Sequence, residues 1–220
     1  MNPAEAIEAD GVVVIIRLDD HELIVELASA LNRGGIRCIE IPLTTPNAIA
    51  LFDRLREQLG AGAVFGAGTV LDKESAAAVI SAGARFVVSP HFIADVVSTC
   101  RTRGVATIPG AFSPAEIFGA WSAGADIVKV FPIRALGPAY LADILGPYPR
   151  VKLMPTGGVS LANAASFIKA GACAVTVGRD VLGQAPWDDK ALAAVTDRAR
   201  ILLDSVRAEK KALLAAGGGR

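Results

Sequence analysis

The chain predicts an α/β fold, a single-domain (β/α)₈ TIM barrel, on three observations. Eight short aliphatic runs alternate with longer segments of helical period. A glycine recurs just before a strand-like run in GGIRCIEI, AGARFVVS, AGADIVKV and AGACAVTV, at Gly35, Gly83, Gly124 and Gly171. Hydrophobic residues make up 52% of the 220 residues while aromatics make up 5%, so the interior is built from Ala, Val, Ile and Leu. That composition suits parallel strands covered on both faces by helices.

The expected strands are Val12–Arg17, Cys38–Leu43, Val64–Thr69, Phe86–Pro90, Ala106–Gly110, Ile127–Pro132, Leu153–Gly157 and Ala174–Gly178. Leu23–Asn32, Asn47–Leu59, Lys73–Ser81 and Ala162–Lys169 carry helical spacing between them. Each repeated glycine suits a helix C-cap where the chain turns into the next strand, and the intervals leave room for two strand–helix units. A doubly wound open sheet shares this alternation but usually carries a Gly-rich turn after its first strand. Here that strand runs into Arg17-Leu18-Asp19-Asp20, so the barrel is preferred. One barrel domain is expected over residues 1–220, with an extra helix and flexible tail from about Asp188, ending in Ala-Ala-Gly-Gly-Gly-Arg.

Composition excludes several classes of function. Twenty-two basic residues balance 22 acidic ones, which leaves no footprint for nucleic acid or an anionic membrane surface. No apolar stretch approaches the length of a bilayer span, and the acidic N-terminus is unlike a signal peptide, so a cytoplasmic location is expected. Cys38, Cys100 and Cys173 are odd in number and scattered, which indicates neither a disulfide framework nor zinc. His21 and His91 have no Cys or acidic partners at ligand spacing, so no metal is expected.

In such barrels the active site is built at the C-terminal ends of the strands. There the sequence places Arg17, Glu40, Thr69, Pro90, Pro109-Gly110, Lys129, Thr156-Gly157-Gly158 and Gly178-Arg179. Lys129 interrupts Ile-Val-Lys-Val-Phe, and Glu40 interrupts Cys-Ile-Glu-Ile-Pro. Burying an ammonium costs several kcal/mol unless it is paired or gives up its proton. A neutral amine in an apolar pocket is what Schiff-base chemistry with a ketone requires. The alternative is a structural Lys–Glu pair, since the two-residue period allows both side chains to point inward. Buried ion pairs rarely stabilise more than apolar packing does, so such residues at the rim favour function. A carboxyl group there can move protons during imine formation and C–C cleavage.

The Pro155-to-Ser160 segment follows the seventh strand and Val177-Gly178-Arg179 closes the eighth, where barrels commonly bind phosphate. Gly157, Gly158 and Gly178 would let the backbone approach an anion, and Arg179 could add a charge-assisted contact or sit in a rim ion pair. Arg17 could neutralise a carboxylate or hold Glu40. Thr69 could hydrogen-bond a keto acid or order a catalytic water. The glycines flanking Ala67 imply that the backbone there lies close to a ligand or to another strand.

Four motifs, Gly66-Ala-Gly-Thr-Val-Leu71, Lys129-Val-Phe-Pro132, Pro155-Thr-Gly-Gly158 and Ile39-Glu-Ile-Pro-Leu43, resemble those of the 2-keto-3-deoxy-6-phosphogluconate aldolase family. The resemblance spans about residues 10–185, with the motifs in order. It implies a class I aldolase without a cofactor, usually a homotrimer, that cleaves a phosphorylated 2-keto-3-deoxy sugar acid to pyruvate and D-glyceraldehyde 3-phosphate. By that likeness Lys129 is the Schiff-base lysine and Glu40 the acid/base. Arg17, Thr69 and Pro90 lie on the pyruvate side, and Gly157, Gly158, Gly178 and Arg179 at the phosphate end. Gluconate-type members resemble Thr-Leu-Arg-Thr where this chain has Pro42-Leu-Thr-Thr45, so Thr44 replaces an arginine. With Gly137-Pro-Ala-Tyr140, this looks more like the phosphogalactonate aldolases. Arg179 stands where related chains often carry serine. A phosphosugar isomerase or epimerase barrel, and a non-catalytic phosphosugar-binding protein, are the competing readings.

Overall fold

Alternation of strand and helix carries through the computed structural model, which describes residues 2–217. The strands are Val12–Ile15, Cys38–Pro42, Val64–Gly68, Phe86–Val88, a fifth in two pieces (Ala106–Ile108 and Gly110–Ala111), Val128–Val130, Leu153–Pro155 and Val175–Val177. All pairs are parallel. One ladder runs from the first piece of the fifth strand through the fourth, third, second and first to the eighth. The other joins the second piece of the fifth strand to the sixth and seventh. The break falls at Pro109, which has no N–H to give a ladder. A bridge from Thr156 to Thr176 joins the seventh and eighth strands and completes the barrel.

Seven of the eight strands stop one or two residues short of the C-terminal end of their aliphatic runs, while the fifth resumes after Pro109 and runs to Ala111. Pairing stops there because the chains splay into loops, and those loop residues form the rim. Around the strands, helices at His21–Arg33, Leu51–Leu59, Lys73–Ser81 and Ala164–Lys169 occupy the expected segments. They bury Ile24, Leu27, Leu31, Leu51, Leu55 and Val79 against the outward-facing Ile39, Ile41, Val87 and Val128.

A second apolar cluster fills the barrel interior: Val13, Cys38, Phe86, Val88, Ile108, Ile127 and Met154. Its lower end is closed by an element the sequence reading did not include, the helix Pro3–Asp10. Asn2 and Glu5 form a capping box at its start, and Ala4 and Ile7 sit under the barrel with that cluster. Ile7 is fully buried, so Ile7→Ala should cost about 2–5 kcal/mol. Urea denaturation would measure that loss, and turnover by the remaining folded protein should stay near wild type because the plug lies at the end opposite the rim.

From Asp189 to Ala215 the C-terminal helix is continuous, so it extends into the expected flexible end; residues 218–220 lie outside the described part. It docks through Val195, Ala199, Leu202, Leu203 and Val206. Lys210 Nζ donates to the carbonyls of Glu8 and Cys173, which ties this helix to the N-terminal plug. Burial pushes the Cys38 thiol up to about 12 and the Cys100 thiol up to about 11. Neither is therefore a thiolate nucleophile at neutral pH.

Candidate active site

At the C-terminal ends of the strands lies a cavity of about 1180 Å³. Arg17, Thr69, Pro90 and Lys129 line one part of it; Gly157, Gly158, Gly178 and Arg179 line the rest. Eight of the nine expected site residues therefore meet in one concavity, drawn from the first, third, fourth, sixth, seventh and eighth strands. Glu40 is fully buried and does not line it.

Lys129 is held by the ladder on both sides, opposite Gly110 on one neighbour and Met154 on the other. Its backbone N–H donates to Pro109 O at 2.9 Å. The residue is 6% exposed, and Nζ lies 5.1 Å from the centre of the Phe131 ring. At that range a cation gains a modest attraction from the ring face, and the ring keeps water away from the amine.

Glu40 enters the barrel from the second strand, beside Ile15 and Gly66 in register. A Cβ on Gly68 would overlap its carboxyl group, so the glycine next to Ala67 makes room for a side chain of the neighbouring strand. Neither oxygen of Glu40 has a hydrogen-bond partner. The two interior charges are thus brought inside the same barrel but not joined in a pair. A strand period of two dictates the face, while distance also depends on barrel tilt and side-chain reach.

Thr69 adopts a left-handed backbone, φ 56°. For a β-branched residue this costs about 1–3 kcal/mol and is concentrated at functional sites. The turn is fixed from both sides by Leu43 N–H on Gly68 O at 2.8 Å and Val70 N–H on Val88 O at 3.2 Å.

Side-chain bonds lock the two glycine loops. Asn163 Nδ2 donates to Gly158 O at 3.0 Å, and its Oδ1 accepts from Ser160 N at 2.8 Å. Asp180 Oδ2 accepts from Leu161 N at 2.7 Å, which ties the loop after the seventh strand to the short helix Arg179–Leu182. Arg198, on the C-terminal helix, donates to Val181 O at 2.7 Å and Leu182 O at 3.0 Å and so anchors the other end of that turn.

The lining also includes residues outside the expected set, among them Phe131, Arg134, Thr176 and Trp187. Phe131 shares the inward face of Lys129 in the strand period and could have been found that way. Thr176 is buried with its Oγ1 unpartnered, a polar atom in an apolar strand that was the same kind of signal as Lys129 and Glu40. Thr44 stands exposed on the turn after the second strand and is not among the lining residues. Among the described residues, His, Cys, Asp and Glu form no cluster of three or more suited to a metal ion. No helix among them is long and apolar enough to cross a membrane.

Fold and cavity together define the class, a (β/α)₈ barrel with a basic cavity at the C-terminal ends of its strands. Residues 4–197 match the family model for KDPG and KHG aldolase. A 2-dehydro-3-deoxy-phosphogluconate aldolase of Treponema pallidum is 41% identical over 74% of this chain and 78% of its own. A probable 2-dehydro-3-deoxy-6-phosphogalactonate aldolase of Rhizobium meliloti is 34% identical over 66% and 69%. The crystal structure of a Legionella pneumophila KDPG aldolase, with pyruvate captured as a covalent carbinolamine, superposes with a TM-score of 0.83 at 28% identity. That match covers 92% of this chain and 98% of the other. The chain belongs to the KDPG and KHG aldolase family.

Proposed function

We propose that the chain cleaves a 2-keto-3-deoxy-6-phospho sugar acid reversibly to pyruvate and D-glyceraldehyde 3-phosphate through a Schiff base on Lys129. The observation that carries this reading is a nearly buried lysine without an acidic partner at the floor of a basic cavity, in a chain of this family. Nζ adds to the keto carbon to give a carbinolamine, and loss of water leaves an imine. Once protonated, the imine nitrogen accepts the electron pair of the C3–C4 bond as the C4 hydroxyl loses its proton. The aldehyde departs, the enamine takes a proton at C3, and hydrolysis frees pyruvate and the lysine.

Glu40 is assigned the proton transfers, because its carboxyl oxygens are engaged with nothing else. Arg17, Thr69 and Pro90 are assigned to the keto-acid end. The N–H groups around Gly157, Gly158 and Gly178 and the Arg179 guanidinium are assigned to the phosphate. The same likeness makes a homotrimer the expected assembly.

The substrate we favour is the galactonate-type epimer at C4. With Thr44 exposed and outside the lining, no arginine reaches the cavity from the turn after the second strand, where gluconate-type members carry one. The test is pyruvate release from the two C4-epimeric phosphosugar acids, with the unphosphorylated acids as controls. Faster turnover of the galactonate-type acid is expected. Equal turnover removes the preference, and no pyruvate from either acid removes the aldolase reading.

A further inference from the structure

Arg134 sits in the turn Ile133–Ala135 that follows the sixth strand, and it lines the cavity. That turn is rigidly placed: Ile133 is fully buried and donates its N–H to Thr156 O at 3.0 Å. Its backbone presses on the glycine pair across the rim. A Cβ on Gly158 (φ 129°) would lie 2.7 Å from Arg134 Cα, so this approach requires glycine. Arg134 is therefore built into the wall of the loop assigned to phosphate.

The side chain is exposed and makes no ion pair or hydrogen bond with the described residues; the same holds for Arg179. Several other arginines are engaged: Arg37 with Asp10 at 2.7 Å, Arg54 with Glu22 at 2.7 Å, and Arg198 with two carbonyls. Asp180 is the acid that lines the cavity, and its carboxylate already takes the Leu161 N–H at 2.7 Å. Two guanidinium groups thus flank the glycine loops from separate turns, against the single carboxylate of Asp180. In a chain with a formal net charge of zero, this concentrates positive potential at one end of the cavity.

We propose that Arg134 is a specificity-determining residue that, together with Arg179, holds the doubly charged phosphate terminus of the substrate from two sides. Guanidinium forks suit phosphate oxygens in this way, and such charge-assisted bonds are stronger than neutral ones. The inference rests on the reading that the phosphate lies at Gly157, Gly158 and Gly178. The phosphate is remote from the C3–C4 bond, so the contact acts equally in ground and transition states and appears in KM.

The test compares wild type, Arg134→Ala and Arg134→Lys on the phosphorylated acid, the unphosphorylated acid and pyruvate trapped by borohydride, with inorganic phosphate as competing ligand. For Arg134→Ala, KM for the phosphorylated acid should rise about 10–100-fold, the loss expected for one charged hydrogen bond, with kcat little changed. Inhibition by inorganic phosphate should weaken, while trapping of pyruvate and turnover of the unphosphorylated acid stay at wild-type levels. Arg134→Lys should recover much of the affinity. An unchanged KM in Arg134→Ala, with wild type still trapping pyruvate and releasing it from substrate, overturns the role of Arg134 and leaves the aldolase reading standing. Equal losses on both acids would mean a merely structural residue and overturn it too. Failure of wild type to trap pyruvate overturns both.

Discussion

Replacing Lys129 with alanine should abolish borohydride-dependent attachment of pyruvate and lower kcat by on the order of 10³-fold or more, as removal of a nucleophile does where catalytic groups act together. Arginine at the same position should fail equally, although it keeps the positive charge, because a guanidinium does not form the imine. The pair of variants separates nucleophile from electrostatic anchor. A lysine that merely neutralised the substrate carboxylate would be partly replaced by arginine. Peptide mass mapping of the trapped wild type should place the added three-carbon unit at Lys129. Attachment at another lysine, or full turnover by Lys129→Ala, would sink the imine mechanism. The fold should survive the substitution to alanine: Lys129 makes no ion pair that would leave a partner stranded, and its ladder bonds are made by backbone.

What the sequence disclosed depended on whether a residue broke a local rule. Lys129 and Glu40 were legible because a charge inside an aliphatic strand is costly and demands a reason. Gly157, Gly158 and Gly178 were legible from their position after the last two strands, once the strands had been counted. Arg134 broke no rule, since an arginine in a turn is ordinary; its place depends on contact with Gly158 across the rim, a relation between two loops. The N-terminal plug was missed although Asn2-Pro3-Ala4-Glu5 is a capping-box pattern, because its few apolar residues give a weak periodic signal. Thr69 could not have been read as left-handed, since threonine favours extended backbone and only the surrounding bonds override that preference. The separation of Glu40 from Lys129 was equally hidden, because periodicity assigns faces and not distances.

That separation makes Glu40→Gln the most discriminating variant after Lys129. As an acid/base group Glu40 should be worth about 10²–10⁴-fold in kcat, and the amide cannot replace it. In a structural ion pair the same change would destabilise the fold by stranding a buried lysine. Here neither oxygen of Glu40 has a partner, so the glutamine variant breaks no ion pair and strands no lysine. The amide is nearly isosteric with the carboxyl and finds no more partners than it did, so Tm should move by no more than about 4 °C, as for a change of roughly 1 kcal/mol. The expected signature is therefore a much slower enzyme of near wild-type stability, with pyruvate still trapped on Lys129 at long incubation because the nucleophile is intact. Gly68 sets the spatial limit: its missing side chain leaves the room that the carboxyl group occupies, and glutamine is close enough in shape to fit it. Calorimetry beside steady-state kinetics distinguishes the outcomes. A larger fall in Tm together with lost activity would make Glu40 a structural element of the barrel, and unchanged kcat would hand the proton transfers to another group.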